Sequence, residues 1–125
     1  TVKEINGKKR KFPADRVFGY QYEIDPSDRA WTGGVYDEAR RGWLADLKDK
    51  PAAQKAFRQG EWNKVRIECR GDQIQTFING VKAADLKDGM TKRGIIALQV
   101  HGIGDGKKNP PGEEIRWRAI RLKEL

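Results

Sequence analysis

The stretch "EWNKVRIECRGDQIQTFING" (residues 61–80) consists of two alternating runs separated by "GD" and closed by "NG". Strand side chains point to opposite faces with a period of two. Val65, Ile67 and Cys69 therefore share one face, and Lys64, Arg66, Glu68 and Arg70 share the other. On the returning run Ile74, Thr76 and Ile78 point inward. Gly71-Asp72 and Asn79-Gly80 are dipeptides that tight hairpin turns demand. Cys69, on the apolar face, reads as a packing residue rather than a nucleophile.

The same signals extend outward. "RVFGYQYEID" (16–25) reads as a strand stopped by Pro26, and "GGVYDE" (33–38) as a short second one. "GIIALQVHGI" (94–103) is the most apolar run and reads as an interior strand. "EEIRWRAIRLKEL" (113–125) closes the chain. Its apolar parity switches from Ile115 and Trp117 to Ile120 and Leu122, which predicts a bulge or bend near Ala119. One short helix is expected, opened by Pro51 in "PAAQKAF" and ended before Gly60. "GDGKKNPPGEE" (104–114) is a loop by composition. Strands at turn-punctuated spacing with almost no helix predict an all-β sandwich or barrel.

The 125 residues suit a single domain spanning 1–125. One cysteine excludes an internal disulfide, and one histidine excludes zinc-finger spacing. No apolar run is long enough for membrane insertion, and this chain carries no signal peptide. The formal charge is +8. Residues 1–16 carry six basic and two acidic groups and residues 107–125 six and three, so the excess sits at the ends. A nucleic-acid binder concentrates its cations with stacking aromatics in one reading element, so no nucleic-acid partner is expected.

Residues of chemical interest fall in two strands. Gln21, Glu23 and Asp25 form a polar row opposite Tyr20, Tyr22 and Ile24. In "IALQVHG", Gln99 and His101 share a face within an otherwise apolar run. If both strands line one concave sheet, carboxylates and an imidazole converge, which supplies a general base and a general acid. Glu23, Asp25 and His101 could also hold a divalent metal in a weak, open site; no other cofactor is indicated. Trp31, Tyr36 and Trp43 lie in loop-rich sequence and are candidates to stack on a sugar, whereas Trp62 and Trp117 read as structural. Arg40 and Arg41 could bind a hydroxyl-rich or anionic ligand, with one of the two expected to be merely solvated.

Five motifs in order carry a resemblance: "GYQYEID" (19–25), "GGVYDE" (33–38), "GEWNKVRIECRGDQIQTFING" (60–80), "IALQVHG" (96–102) and "RWRAIRL" (116–122). Together they resemble the 3-keto-disaccharide hydrolase domain family over about residues 16–125. The resemblance implies a jelly-roll β-sandwich of the concanavalin A-like lectin/glucanase type. It implies cleavage of 3-keto-glycosides, with Glu23, Asp25 and His101 as catalytic groups and Gln21, Gln99, Tyr36, Trp31, Trp43 and Arg40 binding a saccharide. It also implies a periplasmic or secreted bacterial location. The family's usual "NSG[IV]-x-[FY]R" strand is absent here, so the chain reads as the C-terminal part of a longer domain, with another segment supplying the missing N-terminal strands. Because similar sandwiches serve lectins, a non-catalytic carbohydrate-binding module is the alternative.

Overall fold

The hairpins predicted around "GD" and "NG" form the centre of the structure. A computed structural model describes residues 1–102 and 112–125. Strands β6 (Val65–Arg70), β7 (Gln73–Ile78) and β8 (Val81–Lys87) pair antiparallel in that order. Gly71 at φ 59° opens the first turn, while Asn79 and Gly80 at φ 48° and 82° provide the two left-handed residues of a type I′ turn. A second antiparallel sheet holds β3 (Gly19–Tyr22), β4 (Val35–Glu38) and β5 (Gly42–Ala45). Helix α1 (Pro51–Ala56) begins at its proline as expected.

The two sheets face each other across an apolar layer. Ile74, Thr76 and Ile78 are buried on β7, as their spacing predicts. Val35 packs with Ile74 and Ala84, flanked by Tyr20, Leu44, Ala45 and Leu86. Leu47, Ala53, Ile78 and Ala83 form a neighbouring cluster under Trp31 and Phe57. Each sheet carries one register shift, between Val35 and Tyr36 and between Thr76 and Phe77. The second shift leaves both Ala83 and Ala84 buried.

Gly33 explains how closely the layers approach. A Cβ on it would lie 2.7 Å from the Ala83 Cβ. The Thr76 hydroxyl donates to the Gly33 carbonyl (2.5 Å) and accepts from the Ala84 N–H (2.9 Å), and Tyr22 Oη donates to the Phe77 carbonyl (3.1 Å). The bonds at the Ala84 N–H and the Phe77 carbonyl satisfy backbone groups beside the β7–β8 irregularity, and the one to Gly33 ties that sheet to the facing one.

A hairpin absent from the sequence expectations precedes all this. Strands β1 (Val2–Ile5) and β2 (Lys8–Lys11) pair antiparallel through Asn6-Gly7, both at positive φ. Phe12 and Ile5 are buried, and the Phe12 and Phe18 rings stand 4.3 Å apart.

Two expectations need correction. The face of β6 bearing Val65, Ile67 and Cys69 is exposed, although its partners across the ladder, Ile78, Thr76 and Ile74, are buried. β6 is the edge of its sheet, and the packing just described covers β7 and β8. Nor do the described residues of 94–103 and 113–125 form paired strands. Ile95, Ile96, Leu98, Val100, Ile120 and Leu122 are exposed. Apolarity calls for burial but names no ladder partner, and backbone pairing needs one.

The chain divides into two units, Thr1–Lys92 and Arg93–Leu125. In the second, Ala119 has φ 51°, in the left-handed region, at the position the parity switch marks. The loop expected at 104–114 lies largely outside the described residues. Among the described residues no helix is long and apolar enough to cross a membrane.

Candidate functional site

The β3–β4–β5 sheet has two chemically different faces. Pairing sets Tyr20 against Asp37 and Tyr22 against Val35 on the inner one. It sets Gln21 against Tyr36, and Tyr36 against Trp43, on the outer one. The ladder runs one residue past β3: the Glu23 N–H donates to the Gly34 carbonyl (3.0 Å), and the Glu23 carbonyl accepts from the Gly33 N–H (2.9 Å). Alternation then puts Glu23 on the outer face beside Gln21. Gly34, across from Glu23, has room only for hydrogen, because a Cβ there would lie 2.9 Å from Trp43 Cζ3 and 3.0 Å from the Ala45 carbonyl oxygen. The Trp43 ring thus stands on bare backbone next to Glu23.

Asp25 leaves the row. The chain turns away after Glu23, and Asp25 is buried. Its Oδ1 accepts from the Ser27 N–H (3.2 Å) and hydroxyl (2.6 Å), and its Oδ2 accepts from Arg29 Nε (2.7 Å) and the Trp31 N–H (3.1 Å). Thr32 Oγ1 accepts from the Asp25 N–H (2.8 Å) and donates to the Asp25 carbonyl (3.1 Å), closing the loop. Burial pushes the Asp25 carboxyl up, but bonds from Ser27, Arg29 and Trp31 outweigh it and hold the group below its ordinary value. Its geometry is that of a loop organiser.

The three aromatics do meet. The Trp31 and Trp43 rings are 4.9 Å apart at 84°, and Tyr36 and Trp43 are 5.3 Å apart at 76°. They do not all offer an open face, because the Arg29 guanidinium lies 4.6 Å from the Trp31 ring centroid and 5.2 Å from that of Trp43. Trp31 also packs on the Leu47 cluster. Trp62, read as structural, is half exposed. Arg29 is the residue the sequence reading passed over; its spacing of four from Asp25 and two from Trp31 was the available clue.

Arg40 belongs to the inner face. Asp37 is fully buried there. Arg40 Nε donates to Asp37 Oδ1 (2.6 Å) and Arg41 Nε to Asp37 Oδ2 (2.5 Å). Arg41 continues to Asp88 through Nη1 (2.6 Å) and Nη2 (3.1 Å), and Tyr20 Oη donates to the same carboxylate. Arg40 lies over the Tyr20 ring at 5.1 Å. Neither arginine is the solvated one expected. A buried carboxylate left without a partner is costly, so both turn inward at the positive-φ Ala39 to meet Asp37. Hydrogen bonds from Arg41, aided by Tyr20 and the Met90 N–H and opposed by burial, hold the Asp88 carboxyl at about 2.

Gln99 and His101 lie in the second unit, and both are exposed. Cys69 is exposed too, with a thiol that desolvation pushes up. Among the described residues no group of three or more His, Cys, Asp or Glu is arranged to hold a metal ion.

The outer face therefore gathers an amide, a carboxylate, a phenol and an indole, with a tethered guanidinium beside the indole. A carboxylate can take a proton, and the amide, phenol and guanidinium can donate hydrogen bonds to an oxygen-rich ligand. Residues 4–123 of the chain match the 3-keto-alpha-glucoside-1,2-lyase-like domain. This match begins twelve residues before residue 16, where the motif resemblance starts, and so takes in most of the β1–β2 hairpin. In a search of the curated proteins nothing matches.

Proposed function

The chain belongs to the 3-keto-alpha-glucoside-1,2-lyase-like domain family, and on that premise we propose that it cleaves 3-keto-glycosides at the C1–O bond on the outer face of β3–β4–β5. The observation that carries this reading is the placement of Glu23 and Gln21 with Tyr36 and Trp43 on one sheet face, opposite the face that packs on the core.

A ketone at C3 acidifies the C2 proton. Glu23 removes that proton, and the electron pair moves into the C2–C3 bond and onto the C3 oxygen as an enolate. The enolate collapses to expel the C1 substituent, which leaves as an alcohol after protonation. Water then adds to the resulting enone at C1, and the sum is hydrolysis. Such chemistry needs a base, an acid for the leaving oxygen and hydrogen-bond donors for the enolate. Gln21 and Tyr36 supply donors beside Glu23. His101 as the acid and Gln99 as a substrate contact come to this reading from the sequence alone. The jelly-roll topology and an extracytoplasmic location are part of the same proposal.

The test is aglycone release from a 3-keto-glucoside, followed for wild type, Glu23→Gln and His101→Ala. Loss of release in Glu23→Gln is expected. Equal release by Glu23→Gln and wild type would sink the assignment of Glu23, and equal release by His101→Ala that of His101. Binding of unoxidised glucan without turnover of any keto sugar would instead identify a carbohydrate-binding module.

A further inference from the structure

We infer that Arg29 is the cation of this site, binding the C3 oxygen of the oxidised sugar, and that Asp25 is the positioning residue that holds it. The inference rests on the 3-keto-glycoside reading and names the group in it that receives the negative charge.

Three observations converge on Arg29. Its Nε is tied to a buried carboxylate at 2.7 Å, so the side chain has one dominant orientation. Its guanidinium stacks over Trp31 and Trp43. Yet the side chain remains 45% exposed, so a guanidinium anchored at Nε and along its ring-facing plane still reaches solvent. A guanidinium anchored in this way is pre-organised, so little rotamer freedom is lost when it binds an oxyanion. The Gln54 side-chain amide donates to the Arg29 carbonyl (3.1 Å), fixing the backbone beneath it to α1.

The location suits the chemistry. The Trp43 ring that Arg29 covers stands over Gly34, and Gly34 is the ladder neighbour of Glu23. In the reaction the C2–H bond breaks, its proton goes to the Glu23 carboxylate, and the bonding pair ends on the C3 oxygen. In this inference the sugar sits with C2 toward Glu23 and its C3 oxygen toward Arg29, where that charge accumulates. An unoxidised sugar develops no such charge, so Arg29 discriminates the ketone from the alcohol. Asp25, its oxygens filled by four donors, acts through Arg29.

The experiment compares wild type with Arg29→Ala, Arg29→Lys and Asp25→Asn for turnover of a 3-keto-glucoside, with thermal melting measured on each. Loss of one oxyanion donor typically costs about 10²–10³-fold in kcat. Arg29→Ala is expected to fall by that factor in kcat with a smaller change in KM, and added guanidinium is expected to restore part of the rate. Arg29→Lys keeps charge but not the fork, and should retain intermediate activity with near-native melting. Asp25→Asn should lose kcat and melt lower. Full turnover by Arg29→Ala, or a rate loss that guanidinium cannot relieve, would overturn the role of Arg29 and leave the proposed activity standing. Absence of turnover by wild type on any keto-glycoside would overturn both.

Discussion

Replacing Thr76 by valine removes a single oxygen from a side chain that is 1% exposed. That oxygen holds two backbone groups, the Gly33 carbonyl and the Ala84 N–H. Valine fills nearly the same volume, so packing is kept while both groups lose their partner in the interior. At about 1–3 kcal/mol for each of the two buried groups left unpaired, the expected loss is about 2–6 kcal/mol. Serine is the discriminating comparison: it keeps the hydroxyl and gives up one methyl, a loss of about 1 kcal/mol. The assay is equilibrium urea unfolding, where the valine variant should lower its midpoint by about 1–3 M at an ordinary slope of about 2 kcal/mol/M. The expected order is wild type, then serine, then valine. Hydrophobicity alone predicts valine above serine. A valine variant as stable as wild type, or more stable than serine, would refute the bridging role.

Two further outcomes follow from the same structure. Gly34→Ala should push the Trp43 ring off its backbone seat, shift tryptophan emission and lower stability by about 1–3 kcal/mol, as over-packing does; unchanged emission and stability would contradict the close approach. Asp88 has its folded carboxyl at about 2 against an ordinary 3.8, so its contribution is full above pH of about 4 and is lost as pH falls toward about 2. Asp88→Asn should therefore flatten the acid-side decline in that window, as read by melting temperature against pH, while lowering stability at neutral pH; an unaltered slope would show that the Arg41 and Tyr20 contacts do not favour the charged form.

Local patterns translated well. The alternation of Ile74, Thr76 and Ile78, the "GD" and "NG" turns and the proline-led helix all depend on near neighbours in sequence, where period and turn chemistry act directly. The Asn6-Gly7 hairpin was legible by the same rule, yet its strands carry mostly charged residues and lack an apolar face to draw attention. Arg40 and Arg41 could not be placed from sequence. Arg41's second partner, Asp88, lies 47 residues beyond it, Arg40's second partner, Thr91, lies 51 residues beyond it, and charge type says nothing about which carboxylate is buried. Asp25 continued the alternating row on paper, but Pro26 and the Ser27 cap bend the chain before that period can act. Val65, Ile67 and Cys69 alternate as a buried face does. Whether a layer covers an edge strand depends on the width of the facing sheet, which no local period encodes.

The Asp25–Thr32 closure has a consequence for engineering. One hydroxyl grips the backbone of Asp25 at both its N–H and its carbonyl, and the carboxylate of the same residue gathers Ser27, Arg29 and Trp31 from the loop between, so the two ends and three of the intervening residues are pinned together. Residues 26–31 form a cassette that opens and ends on the same clasp, while Gln21 and Glu23 sit outside it on the ladder. Exchanging its exposed positions, Pro26 and Asp28, would change which groups overhang the sheet face while Arg29 and Trp31 stay tied to Asp25. A library there keeps Ser27, Arg29 and Trp31, which hold the buried carboxylate, and varies the exposed Pro26 and Asp28, where loop substitutions are best tolerated.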